Sequence, residues 1–226
     1  MKGPRPISSA APEIVGTPTI GRSDYYATFA GHPDPARQVG WEDAARQAGR
    51  FEIVRRLLAP GDVVLDVGAG LGALGRHLIA HGHRGAYLGL ERDPVFVARA
   101  RALDPPIHLL HRDALTGPTW PEADIVALVG VLVDGAALTS DGARFKRLRL
   151  FLERALAAAR KAVVLVTLQQ EALEADPIRS LEPALGGVRL TELPWLLGER
   201  PYAIDDDLSP LDRIVLVPTA RPPLTP

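Results

Sequence analysis

Three carboxylates occupy positions where they could meet a ligand: Asp66, Glu91 and Asp113. Asp66 ends the apolar run Val63-Val64-Leu65, Glu91 follows Ala86-Tyr87-Leu88-Gly89-Leu90, and Asp113 comes shortly after Ile107-His108-Leu109-Leu110. Between the first two acids lie four glycines within eight positions: Gly68, Gly70, Gly72 and Gly75. Glycine reaches backbone angles closed to other residues and removes the Cβ atoms that would hold a ligand off the main chain. A helical pattern begins directly after them, and the unpaired N–H groups at a helix N-terminus favour an anion or carboxylate. An acid two residues before the first glycine suits the opposite charge, an amino group or a sulfonium. Glu91 follows Gly72 at close to the spacing at which a carboxylate meets ribose hydroxyls. The chemistry is recognition of a nucleoside that carries charged groups.

Two ligand classes use such a turn. Gly70-Leu71-Gly72-Ala73-Leu74-Gly75 fits the dinucleotide pattern G-x-G-x-x-G, and Gly68 to Ala73 fits its G-x-G-x-x-A variant. A dinucleotide strand is usually apolar up to its first glycine, whereas here Asp66 intervenes. The run Leu65-Asp66-Val67-Gly68-Ala69-Gly70-Leu71-Gly72 resembles motif I of the class I S-adenosylmethionine (SAM) methyltransferases. The resemblance extends over residues 40–217.

It implies a SAM site built from Asp66, Gly68, Ala69, Gly70 and Gly72, with Glu91 and Arg92 at the ribose. Asp113 and Ala114 would meet the adenine, and Val129 falls in the motif that ends the fourth strand. Gly40-Trp41 and Arg50-Phe51-Glu52 are similar to a less characterised branch of small methyltransferases, which implies that Arg50 approaches the methionine carboxylate. The implied activity is methyl transfer to an oxygen or nitrogen of a small-molecule or peptide acceptor, with S-adenosylhomocysteine as product. Asparagine-proline-proline-tyrosine, the signature of amino methylation on bases and glutamine, is absent; Val129-Gly130-Val131-Leu132-Val133-Asp134 stands in its place. No nucleic-acid acceptor is therefore expected. Two alternatives stay open: an NAD(P)-dependent oxidoreductase, which Asp66 and the lack of a Tyr-x-x-x-Lys pair disfavour, and a non-catalytic SAM-binding regulatory subunit.

Methyl transfer asks mainly for in-line placement of the nucleophile, although an oxygen or nitrogen acceptor can also need a base. The candidates are His32, His111 and Asp134, with Tyr25 and Tyr26 as positioning groups. No metal site is expected. His77, His81 and His83 lack an accompanying acid or cysteine, and Asp205-Asp206-Asp207 reads as a solvated turn.

The elements that must position these residues are legible as alternating strands and helices, the pattern of a parallel α/β sheet. The expected fold is a Rossmann-like three-layer αβα sandwich. Its seven-stranded, mostly parallel sheet has the order 3-2-1-4-5-7-6, with strand seven antiparallel. The sixth strand is expected at Val188 to Leu193 and the seventh at Asp212 to Val217. Residues 1–22, rich in Pro, Gly, Ser and Thr, read as a flexible arm. The domain spans 23–217, with a lid at 24–41 where aromatic residues concentrate, and 218–226 read as a frayed tail.

The 226 residues suffice for one core. A net charge of −1 gives no global field for nucleic acid. Zero cysteines exclude disulfides and thiolate chemistry. Without an apolar run of membrane-spanning length or a signal-peptide core, the expectation is a cytoplasmic protein with no membrane association.

Overall fold

A computed structural model describes residues 26, 29–103, 105, 107–131, 141–175 and 187–219. The arm at 1–22, Tyr25 and Asp134 lie outside the described residues. Two helices lead in: α1 (Pro35–Gln38), capped by the Asp34 carboxylate, and α2 (Ala44–Arg56), capped by Asp43. Glu42, just ahead of α2, pairs with Arg46 one turn on. There follow β1 (Val64–Val67), α3 (Ala73–Ala80), β2 (Tyr87–Glu91), α4 (Pro94–Arg101), β3 (Leu109–His111) and β4 (Ala123–Val129). After these come α5 (Asp141–Ala158), β5 (Ala159–Gln169), α6 (Gln170–Ala175), β6 (Gly187–Val188), α7 (Leu193–Leu197), β7 (Ala203–Asp205) and β8 (Asp212–Pro218).

The sheet order is β3-β2-β1-β4-β5-β8-β7. β1 to β5 pair in parallel, while β8 runs antiparallel to β5, in register from Ala162↔Pro218 to Leu168↔Asp212. The antiparallel strand inserted beside β5 is the expected departure from a dinucleotide-binding sheet. β4 is buried along its whole length and serves both faces. Ala123, Val126 and Leu128 join a core with Phe151 and Leu152 of α5 and Leu193 and Leu197 of α7. Ile125, Ala127 and Val129 join a second core with Phe51 and Val54 of α2 and Leu74 and Leu78 of α3. That alternation, the two-residue period of a strand, makes three layers.

Three expectations are corrected. The segment Val188 to Leu193 is not the edge strand. Only Gly187 and Val188 pair as a strand, beside β5, and the chain then enters a 3₁₀ turn at Leu190–Glu192 and α7, with Pro194 in its first turn. The edge position belongs to Ala203–Asp205, which pairs with β8. Asp206 is no bystander in a solvated turn either. Its carboxylate takes two hydrogen bonds from the buried Arg213, at 3.1 and 3.0 Å. The tail also begins later than expected, since Pro218 is the last residue of β8 and the Thr219 N–H donates to Lys161 O at 2.7 Å.

Candidate functional site

A cleft of about 1380 Å³ opens at the carboxyl ends of β1 to β5, where ligands meet an open α/β sheet. The glycine turn forms its floor. Gly68, Gly70 and Gly72 all hold positive φ, at 77°, 56° and 75°, and α3 starts directly behind them. Gly75 does something different. A Cβ there would lie 2.7 Å from the Tyr87 ring, so its absence seats Tyr87 between helix and strand. Gly75→Ala is expected to displace that ring and cost about 1–3 kcal/mol by overpacking, read as a lower urea midpoint with unchanged slope.

Tyr87 donates its hydroxyl to Asp66 Oδ2 at 2.6 Å. Asp66 lines the cleft yet is only 4% exposed. Burial pushes its carboxyl up to about 7; the Tyr87 hydrogen bond works against the rise and the charge of Glu91 adds to it. Burial and the neighbouring Asp66 likewise hold the Tyr87 phenol well above its usual range. An acid with this poise accepts a cation more readily than it carries an isolated charge.

Glu91, at the end of β2, is also buried and lines the cleft. Its Oε2 accepts from Gly70 N at 2.8 Å and its Oε1 from Asp93 N at 2.8 Å. It therefore fixes the glycine turn to the start of α4, and each oxygen keeps a further lone pair. Asp113 reaches the cleft wall beyond β3, where its Oδ1 accepts from Leu115 N at 2.7 Å. Ala69, Arg92, Ala114 and Val129 line the same cleft. Asp66, Glu91 and Asp113 thus converge from three adjacent strand ends. Gly72 is left off the wall, behind the turn.

Arg50 lies on the other side. It is buried in α2 and lines the cleft, but its Nε and Nη2 fork onto Asp212 at 3.0 and 2.5 Å, and its Nη1 donates to Arg46 O at 2.7 Å. Its guanidinium sits 4.7 Å from the centre of the Trp41 ring.

Over the cleft run Tyr26, Phe29, Val39 and Trp41. Tyr26 meets Phe96 of α4 edge-on, with ring centroids 5.5 Å apart. His32 does not line the cleft; its Nδ1 accepts from Asp34 N at 3.0 Å. His111 lines it at the β3 end, where its Nε2 lies 3.0 Å from Arg92 O. β3 stands three strands from β4, roughly 14 Å at the usual strand spacing. Among the described residues no group of three or more His, Cys, Asp or Glu is arranged to hold a metal ion. The His77 and His81 rings stack on each other at 4.1 Å instead.

Three residues that matter to the site were not singled out by sequence: Tyr87, Gln47 and Asp212. Tyr87 carried a signal, a lone aromatic two residues before a strand glycine. Gln47 and Asp212 carried none, because their burial depends on packing between α2 and a strand that begins more than 150 residues later.

No family model matches the chain, and no curated protein matches it. Solved structures do. The N-methyltransferase NodS from Bradyrhizobium japonicum WM9, in complex with S-adenosylhomocysteine, aligns with a TM-score of 0.61 at 13% identity, over 89% of this chain and 98% of that one. The plantazolicin methyltransferase BpumL, also with S-adenosylhomocysteine, gives 0.59 at 13%, over 87% and 90%. Human N-acetylserotonin methyltransferase in complex with SAM gives 0.57 at 20%, over 76% of this chain; the chain spans about half (51%) of that enzyme. The fold is that of the class I SAM-dependent methyltransferases. Among the described residues no helix is long and apolar enough to cross a membrane.

Proposed function

We propose that this chain binds SAM and transfers its methyl group to an oxygen or nitrogen of a small-molecule or peptide acceptor. The observation that carries the reading is the convergence of Asp66, the glycine turn, Glu91 and Asp113 in one cleft. The bare turn and the two buried acids suit the ligand's chemistry: an open main chain for close approach, one carboxylate for ribose hydroxyls and one for a cationic centre. SAM bound there supplies a methyl group already activated by its sulfonium. Glu91 and Asp113 would hold the nucleoside, Asp66 would face the ammonium or sulfonium, and the segment 29–41 would close the cleft against water. Arg92 and Ala114 complete the nucleoside wall, and Val129 the wall toward the acceptor. Arg50, its fork occupied by Asp212, enters as a wall residue that holds Trp41 in place.

A cleft of about 1380 Å³ exceeds the roughly 300–1,000 Å³ of a typical small-molecule site, which supports two ligands bound side by side. Calorimetric titration with SAM, S-adenosylhomocysteine and NADPH tests the reading, followed by a screen for methylated acceptors. Submicromolar to micromolar binding of the first two and none of the third is the expected result. Binding of NADPH alone overturns it.

A second reading, a SAM-binding regulatory subunit, is favoured by one observation. The described end of β4 offers Val129, Gly130 and Val131, with no ionisable side chain, and His32 is turned into its own loop. SAM binding with no acceptor methylated in the screen would support it.

The poise of Asp66 gives a pH dependence. Its folded-state value of about 7 lies above the ordinary 3.8, so the folded chain holds this proton where the unfolded chain has lost it. The stabilising contribution is full below about pH 4 and is lost as pH rises through about 7. A bound cation reverses the sense, because it favours the ionised acid. Ligand affinity is therefore expected to rise between about pH 6 and 8, by up to tenfold, and Asp66→Asn should flatten the rise. Titration with both SAM and S-adenosylhomocysteine separates the two cations. A rise with both places the ammonium at Asp66, and a rise with SAM alone places the sulfonium there.

A further inference from the structure

The half of the cleft on the β4, β5 and β8 side is unlike the nucleoside half. Its walls are apolar or aromatic: Trp41, Phe51, Val131, Phe151, Leu168 and Leu211. Two of the cations beside them are paired: Arg50 is forked onto Asp212 and Arg46 is paired with Glu42, while Arg147 has interactions of its own. Ser209 spends its hydroxyl on Asp212 at 2.5 Å.

Trp41 is closely packed on two sides. A Cβ at Gly130 would come within 2.8 Å of its benzo edge, and the Arg50 guanidinium covers one face. Trp41 is partly buried against the second core and also lines the cleft. One turn of α2 before Arg50 stands Gln47. It is 7% exposed, lines the cleft, and no described group hydrogen-bonds its carboxamide. Its polar atoms are not sealed off, since they do not number among the buried atoms without partners. A buried amide without a partner that is open to a cleft needs one from the cleft's occupant.

Resting on the methyltransferase reading, the geometry points to an acceptor subsite for a planar, uncharged aromatic molecule bearing a hydroxyl, stacked on Trp41 and hydrogen-bonded by Gln47. Gln47 is a specificity-determining residue. Its amide can accept the hydroxyl proton or donate to its oxygen, and a site built to bond a hydroxyl discriminates against the analogue that lacks it. The pairing of Arg50 and Arg46 favours an uncharged occupant over an anion beside them, with Arg37 the exposed cation of the same lining.

The test uses the full chain saturated with S-adenosylhomocysteine and three probes: 2-naphthol, naphthalene and 2-naphthoate. The expected order of affinity is naphthol, then naphthalene, then naphthoate. Gln47→Met, which keeps length and removes the amide, should weaken 2-naphthol about 5- to 10-fold and leave naphthalene unchanged or tighter. Trp41→Ala should weaken both by a similar factor. S-adenosylhomocysteine should bind Gln47→Met with wild-type affinity, and thermal melting checks its fold.

Naphthoate binding best would overturn the uncharged assignment. Equal loss of naphthol and naphthalene in Gln47→Met, or loss of S-adenosylhomocysteine binding in that folded variant, would remove Gln47 from the acceptor subsite. Wild-type protein that binds S-adenosylhomocysteine but none of the probes sinks this inference alone, whereas failure to bind S-adenosylhomocysteine sinks the methyltransferase reading with it.

Discussion

Glu91→Ala is expected to lower SAM affinity by about 30- to 1,000-fold, a loss of roughly 2–4 kcal/mol. On the proposed reading the carboxylate accepts both ribose hydroxyls, and hydrogen bonds to a charged group contribute about 1.5–3 kcal/mol each before water replacement reduces the total. The structure adds a second, indirect part. Glu91 already accepts from the N–H groups of Gly70 and Asp93, so truncation frees the glycine turn as well as removing the ligand's partner. Stability should fall by roughly 1–3 kcal/mol for the two backbone donors left without it. Glu91→Gln should lose less of both, since its amide oxygen still accepts from one N–H. Asp113→Ala should lose less affinity again, because it offers a single contact near solvent. Titration calorimetry of the three variants, with circular dichroism as a folding control, measures the series. Wild-type affinity in a folded Glu91→Ala would take Glu91 out of the site.

Much of this arrangement was legible because it is local. Asp66 and the glycines declare a strand, a turn and a helix within about a dozen residues, and Glu91 follows at a fixed interval along one β-α-β unit. The acids at strand ends converge because parallel strands in one sheet end on the same edge. The order of the sheet could be read from the apolar runs and the resemblance. The edge strand could not be placed. Val188 to Leu193 has strand-like residues, but Pro194 and the docking of Leu193, Leu196 and Leu197 against α5 turn that stretch helical. The true edge, Ala203–Asp205, is short and exposed, and such a strand has little apolar patterning to announce it. Nor could the partners of Arg50 be read. The family resemblance implies a ligand's carboxylate beside it, and only the folded chain brings Asp212 within reach of it.

That ion pair sets the second large expectation. Asp212→Ala is expected to destabilise the fold by about 3–5 kcal/mol, the cost of leaving one charge of a buried pair without its partner. The Arg50 side chain is 10% exposed and that of Asp212 only 2%, so solvent can compensate little of the loss. Asp212 also receives the Ser209 hydroxyl, so its removal leaves a second donor without an acceptor. Against a typical total of about 5–15 kcal/mol, such a change should be visible as a large drop in the urea midpoint. Asp212→Asn should cost less, because the amide oxygen still accepts one bond from the fork. Replacing both partners, as Arg50→Met with Asp212→Leu, should recover much of the stability, since an apolar pair of similar volume avoids desolvating two charges. The double variant should nevertheless bind 2-naphthol poorly, because Trp41 loses the guanidinium that covers one face of its ring. Equilibrium unfolding and probe titration on the same samples separate the two roles. A loss below about 1 kcal/mol in Asp212→Ala would mean that the pair is screened like a surface bridge, and that Trp41 is positioned by Gly130 alone.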